Sequence, residues 1–200
     1  MHLLHPIASC QFSLRDVGNI KINVTLNLDY GEPMATPVII RAYREEDRDQ
    51  CRSLWRELTE WHQEIYENPH VGGEHPEDYF DKHLAKIGSE HIWVAVQDSR
   101  VVGFVGLIVE KGEAEIEPII VSKGHRRKGS GKRLIETVVS EARKKGVHYL
   151  NVKPVARNMQ AIRFLYKQGF KIVGHVDLFL DFSNQTWKSG LEFHGCKFDY

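Results

Sequence analysis

A chain of 200 residues with 42% hydrophobic content has the length of one ordinary domain and enough apolar surface for a sizeable core. Its 27 Lys and Arg cancel its 27 Asp and Glu, which argues against a nucleic-acid or membrane-surface binder and leaves anion recognition to a local arrangement. Cys10, Cys51 and Cys196 fit neither a disulfide framework nor a zinc pattern, and no apolar run approaches the roughly 18 residues of a membrane span or the start of a signal peptide; a cytoplasmic protein without a metal site is expected.

From Ile20 to Asp29 the sequence IKINVTLNLD alternates apolar and polar residues as a half-buried strand does, and YGEPMATP then breaks the pattern. Residues 1–33 are therefore set apart as an N-terminal extension, readable as an added strand, a dimerisation arm or sequence upstream of Met34, and residues 34–200 as the domain proper. The Asn-X-Thr triplets at Asn23 and Asn184 are taken as silent matches. VIIRAY (38–43) reads as a strand. Residues 45–66 read as an amphipathic helix with Leu54, Leu58, Trp61 and Ile65 on one stripe, which places Trp61 in the core. A loop rich in glycine and proline then leads to a second helix from about Pro76 to Ile87.

Between His91 and Ser122 the turn signals DS and KGE divide an apolar stretch into three antiparallel strands. SGKRLIETVVSEARKKG (130–146) is a helix with Leu134, Ile135, Val138, Val139 and Ala142 on one face and Gly146 at its end. YLNVKPVA is a strand, the segment opened by Asn158 and closed by Gly169 a helix, FKIVGHVDLFLDF (170–182) a long strand, and LEFHGCKFDY a last strand. The order describes an α/β domain whose mixed central sheet of six to seven strands carries about four helices over both faces.

The stretch HRRKGSGKR (125–133) follows a strand and opens a helix, a combination that offers backbone N–H groups and a positive helix end to a phosphate. It is not a Walker loop, since Ser130 and Gly131 follow Gly129 where Lys and Ser/Thr are needed, nor a dinucleotide fingerprint, since Arg133 and Leu134 stand where the third glycine belongs. Three glutamates, Glu113, Glu115 and Glu117, occupy alternate positions of the strand before it and share a face.

Arg126-Arg127-Lys128-Gly129-Ser130-Gly131 resembles the Arg/Gln-X-X-Gly-X-Gly/Ala signature of the acyl-CoA-binding GNAT N-acetyltransferases, and IEPIIVS resembles the strand that carries it. Asn158, Ala161, Tyr166, Gly169 and Phe170 resemble that family's second characteristic segment, so the resemblance spans about Val38 to Phe182. It implies a GNAT-type fold and direct transfer of an acetyl group from acetyl-CoA to a primary amine of a small molecule or peptide. It further implies that backbone N–H groups of Arg126, Arg127, Lys128, Gly129, Ser130, Gly131 and Lys132 hold the pyrophosphate. Ile119, Ile120 and Val121 would pair with the pantetheine arm where two strands splay, and Asn158 would touch the cofactor. Glu117, with Glu115 as alternative, is implied as the base and Tyr166 as the acid, the ordinary readings being a solvated carboxylate face and a packed tyrosine.

Residues 44–81 hold twelve Asp and Glu against four Arg, which leans toward a cationic acceptor. Trp55, Trp61, Tyr66 and Tyr79 are candidates to line its cleft, with the apolar stripe favouring the core for Trp61; His70, His75 and His83 are not spaced as a metal site. A non-catalytic acyl-CoA-binding or regulatory module of the same fold is the competing reading, with a homodimer compatible with either. Neither nucleic acid nor membrane is expected as a partner.

Overall fold

The computed structural model describes residues 36–182 and 186–200. The strand expected at Ile20 to Asp29, together with Cys10, Asn23 and Asn184, lies outside the described residues. Five strands form a sheet in sequence order: β1 (Ile39–Ala42), β2 (Ile92–Gln97), β3 (Arg100–Glu110), β4 (Glu113–Val121) and β5 (Tyr149–Val152). The first four pair antiparallel and β5 joins β4 in parallel. Two-residue turns explain the hairpins: Asp98 and Ser99 between β2 and β3, and Lys111 and Gly112 between β3 and β4, all take positive φ, as the twist of tight hairpins requires. A parallel neighbour needs a crossover, supplied here by α3 (Ser130–Lys144).

The sheet is buried on both faces. Helix α1 (Arg48–Tyr66) and helix α2 (Asp78–Ile87) cover one, where Leu54, Phe80 and Ile87 meet Val94, Phe104 and Ile120. On the other, Leu134, Ile135 and Val138 of α3 and Leu165 of α4 (Met159–Lys167) meet Val105, Leu107 and Ile116. Each such aliphatic side chain contributes roughly 1.5–3 kcal/mol by leaving water, so the two layers hold the sheet rigidly beneath the loops at the end of β4. Helix α4 starts where Asn158 Oδ1 accepts the Ala161 N–H at 3.1 Å and stops before Gly169, whose φ of 102° no L side chain takes readily. Among the described residues no helix is long and apolar enough to cross a membrane, and Cys51 and Cys196 are free thiols.

The C-terminal part departs from the expected single sheet. LEFHGCKFDY does not add one strand; it turns at His194 and Gly195 into the hairpin β6 (Ser189–Phe193) and β7 (Cys196–Asp199), a separate two-stranded sheet. Arg157 ties this hairpin to α1, its Nε donating to the Tyr200 carbonyl at 2.7 Å and its Nη1 to the Tyr66 carbonyl at 3.3 Å, while Lys188 pairs with Glu67 at 2.7 Å. Residues 170–182 keep the alternation of a strand but have no ladder partner among the described residues. Alternation is a property of one chain, whereas a strand requires an edge to pair with, and the seven strands among the described residues stand as five plus two.

Candidate active site

The centre of the site is a local fault in the β3–β4 ladder. Val105 pairs with Ile119 and Leu107 with Ile116, so the single residue Gly106 faces both Glu117 and Pro118, a β-bulge on β4. Gly106 makes this possible: a β-carbon there would collide with the Glu117 carbonyl oxygen and lie 2.8 Å from His83 Nε2. On its other side β4 pairs with β5 only from Glu113 to Ile116. From Glu117 to Val121 the strand is held by β3 alone among the described residues, leaving its second edge of N–H and C=O groups open where β4 and β5 part.

Ala114 and Ile116 point into the core beneath α3, which turns Glu113, Glu115 and Glu117 to the opposite face. Glu115, its side chain 24% exposed, is gripped by Lys153 Nζ at 2.6 Å, a bond that raises the lysine's pKa. Glu117 stands at the fork itself, 47% exposed, with Lys86 Nζ at 3.8 Å. Behind it lies His83, only 5% exposed and tilted against Trp55 at a centroid distance of 5.3 Å. Burial lowers the His83 pKa against the opposing pull of the Glu117 carboxylate.

The glycine-rich stretch emerges directly from this open strand. Arg127 and Gly129 take φ of 62° and 91°, and α3 begins at Ser130. From Arg126 to Lys132 no backbone N–H finds an acceptor within the described residues, which leaves a run of donors at the positive end of a 15-residue helix. Ser130 is 1% exposed and its Oγ has no hydrogen-bond partner, a cost seldom carried unless a ligand relieves it. Space above Gly129 is open, whereas a β-carbon on Gly131 would come within 3.2 Å of the Phe164 ring. Gly129 thus serves the turn and the approach from outside, and Gly131 serves the packing of α3 on α4.

Most of the basic side chains look elsewhere. Arg126 folds back on α1: its Nε donates to the Val121 carbonyl at 2.9 Å, its guanidinium lies 5.6 Å from the Trp61 ring and 3.8 Å from Glu57. Glu57 also accepts the Lys123 N–H. Lys132 pairs with Glu136 at 3.7 Å and Arg133 bonds the Val38 carbonyl, while Arg127 and Lys128 stay exposed. Trp61, expected in the core, instead sits against Arg126; Trp55 is the tryptophan that packs with Phe80 and Phe104. Tyr66 carries Arg157 and Tyr79 carries Lys82, 5.0 and 4.6 Å from their rings.

Tyr166 lies on α4 with its residue 58% exposed and Lys171 Nζ 5.4 Å from its ring, so it has no place in the core. The four Arg of residues 44–81 all pair with acids of the same segment and so leave its acidic excess standing; from outside, Arg41, Arg126 and Lys188 meet Asp47, Glu57 and Glu67. Arg48 bonds Glu45 and Asp81 at 2.8 and 2.9 Å, Arg52 bonds Asp78 at 2.6 Å as well as Asp81, and Arg56 reaches Glu77 at 2.8 Å. Glu57, Lys86 and Lys153 were not singled out by the sequence, because each meets the site from a distant part of the chain and belongs to no motif.

An open strand edge running into a donor-rich helix start is the arrangement an acyl-CoA needs, and the sequence profile of the acetyltransferase (GNAT) family matches residues 55–170. The chain belongs to the GNAT acetyltransferase family. This GNAT enzyme is similar in fold to the PaiA N-acetyltransferase of Thermoplasma acidophilum in complex with coenzyme A, with TM-score 0.60 and 21% identity over 68% of this chain and 91% of that one. A GNAT acetyltransferase of Staphylococcus aureus Mu50 superimposes with TM-score 0.59 at 16% identity, over 74% and 96% of the two chains. The ribosomal-protein-S18-alanine N-acetyltransferase of Escherichia coli does so with TM-score 0.52 at 21% identity, over 66% and 77%. No curated protein sequence matches this one. GNAT acetyltransferases take their acetyl group from acetyl-CoA, and the unpaired N–H run with the orphaned Ser130 hydroxyl fits its pyrophosphate.

Proposed function

We propose that this acetyltransferase moves the acetyl group directly to a primary amine of a small molecule or peptide, within a ternary complex, with Glu117 as base and Tyr166 as acid. The observation that carries the reading is the parting of β4 and β5 at Glu117, which sets a carboxylate, a free strand edge and the N–H cradle in sequence along one path. Bound there, acetyl-CoA supplies a thioester whose acyl carbon accepts the amine nitrogen as the C–S bond breaks.

The backbone N–H groups from Arg126 to Lys132 bind the pyrophosphate, and the open edge of Ile119, Ile120 and Val121 takes the pantetheine amides as a short added strand. Asn158 spends its Oδ1 on the α4 cap, which leaves its amide nitrogen for the cofactor. An alkylammonium acceptor titrates near 10.4 and must lose a proton before it can attack. Glu117 is the better-placed group to take it, since Glu115 is bound tightly by Lys153 and Glu117 is the more exposed and the more loosely paired. The exposed Tyr166 hydroxyl returns a proton to the departing thiolate. The acidic excess of residues 44–81 leans toward a cationic amine as the acceptor. A cytoplasmic location completes the reading.

Thermal unfolding with and without acetyl-CoA, followed by a thiol-release assay over amine classes, tests it. Acetyl-CoA at a hundred times its dissociation constant stabilises by about 2.7 kcal/mol, and at least one amine class releases thiol. An unchanged midpoint with both acetyl-CoA and CoA would overturn the assignment of the cradle.

A further inference from the structure

Helix α2 buries Phe80, His83 and Ile87 along one face. Phe80 and Ile87 join the apolar cluster beneath the sheet, as residues at helical spacing do, but His83 brings a polar ring to the same stripe. The ring is only 5% exposed, and its Nε2 is buried with no hydrogen-bond partner among the described residues. A leucine would fill such a position without leaving a polar atom unpaired, and orphaned buried nitrogens are rare because they forfeit their hydrogen bond to water. What Nε2 faces is specific. It and the Glu117 carbonyl oxygen are the two polar atoms that crowd the bare α-carbon of Gly106, each nearer to the place of a β-carbon than packed atoms stand. Trp55 restrains the ring, with centroids 5.3 Å apart. A carbonyl only accepts, so the uncharged imidazole, the form that burial favours, meets it through Nε2–H.

We propose that His83 is a positioning residue of the acetyl transfer: when acyl-CoA binds along β4 the bulge settles, and Nε2–H donates to the Glu117 carbonyl, fixing at the fork the residue that carries the base. This rests on reading Glu117 as that base. The bulge is able to settle because Glu117 and Pro118 together face the single Gly106, which puts no side chain in their way. Hydrogen bonds of this kind often stand long in a free enzyme and tighten only in its complex. The contact acts on the backbone of Glu117, whereas Lys86 at 3.8 Å acts on its carboxylate. Position and charge of the base are thus set by different groups.

Imidazole NMR of the full chain, with the His83 signals assigned by their loss in His83→Gln, tests the bond directly. Adding coenzyme A is expected to bring out a downfield, exchange-protected Nε2–H resonance. The same is expected in Glu117→Gln, which keeps the carbonyl; that variant showing the resonance at a wild-type rate would overturn Glu117 as base and leave the bond standing. His83→Leu fills the space without a donor and should lower kcat about 10- to 100-fold. Its KM for acetyl-CoA should stay within about twofold. His83→Gln restores an N–H near the place of Nε2 and should recover most of the lost rate. A leucine variant with wild-type kcat would mean that the ring only packs and would overturn the proposal, as would a glutamine variant no faster than leucine. So would a His83 resonance that coenzyme A leaves unchanged, a result read on the wild type and independent of how any variant folds.

Discussion

Gly106 of β3 sits against the carbonyl oxygen of Glu117 of β4, closer than any β-carbon could. This contact holds the bulge that carries Glu117 to the fork. Gly106→Ala must push β4 outward or displace the buried His83, at a cost of about 1–3 kcal/mol for overpacking. Urea titration should show that loss, and turnover should fall by more than the folded fraction does, because the displaced atom belongs to Glu117. An alanine variant with wild-type stability would mean that the strands relax freely there.

Exchanging the two candidate bases separates their roles. Glu117→Gln should lower kcat about 10²- to 10⁴-fold with little change in acetyl-CoA affinity, and should flatten the rising limb of the pH–rate profile. Glu115→Gln releases Lys153 from its 2.6 Å ion pair and should cost less than about tenfold. The reverse order would transfer the proton to Glu115.

The cofactor cradle makes a contrast between backbone and side chain. Gly129→Glu and Gly131→Glu should abolish acetyl-CoA binding in a thermal-shift titration, the first by putting a charge and an unfavourable φ in the open space, the second by colliding with Phe164. Lys128→Ala removes only an exposed charge and should weaken binding a few-fold. Equal losses in all three would point to side-chain recognition.

Glu57 joins α1 to the cofactor loop through Lys123 N–H and Arg126. Glu57→Gln keeps a hydrogen-bond acceptor but drops the charge, and should raise the KM for acetyl-CoA while leaving kcat within about twofold. Glu57→Ala removes the acceptor as well and should raise it further, without changing the KM for the amine. A variant in which both KM values move together would place Glu57 on the acceptor side.

Asp47 predicts an acid-dependent stability. Burial pushes its carboxyl pKa up, but two hydrogen bonds from Arg41 at 2.7 and 2.8 Å and one from the Arg44 N–H at 2.8 Å outweigh it, and the net shift is downward. The folded pKa lies below the unfolded value of about 3.9, so this stabilisation is whole above about pH 5 and lost as pH falls through the folded pKa. Asp47→Asn should cost about 2–3 kcal/mol at pH 7, less than a fully buried pair because the Arg41 side chain is a quarter exposed. Urea midpoints of the two proteins should converge toward pH 2; a gap constant with pH would assign the effect to packing.

Much of the fold was legible along the chain because it rests on local physics. The turns at Asp98-Ser99 and Lys111-Gly112, the apolar face of α3 and the cap at Asn158 each depend on residues a few positions apart. The glycine-rich helix start could be read for the same reason, since its donors and its φ values belong to consecutive residues. Trp61 and the 170–182 segment could not be placed this way. A stripe says which face of a helix is apolar without saying whether a core or Arg126 meets it, and alternation says nothing of a pairing edge.

The sequence by itself determined the α/β order, the family motif and the three glutamates on one face. Only the tertiary structure decided which glutamate stands at the fork, and that Arg126 turns to Glu57 instead of outward. The physical reason is distance along the chain: Gly106 meets Glu117, and Glu57 meets Lys123, only after the sheet and helices have closed around them.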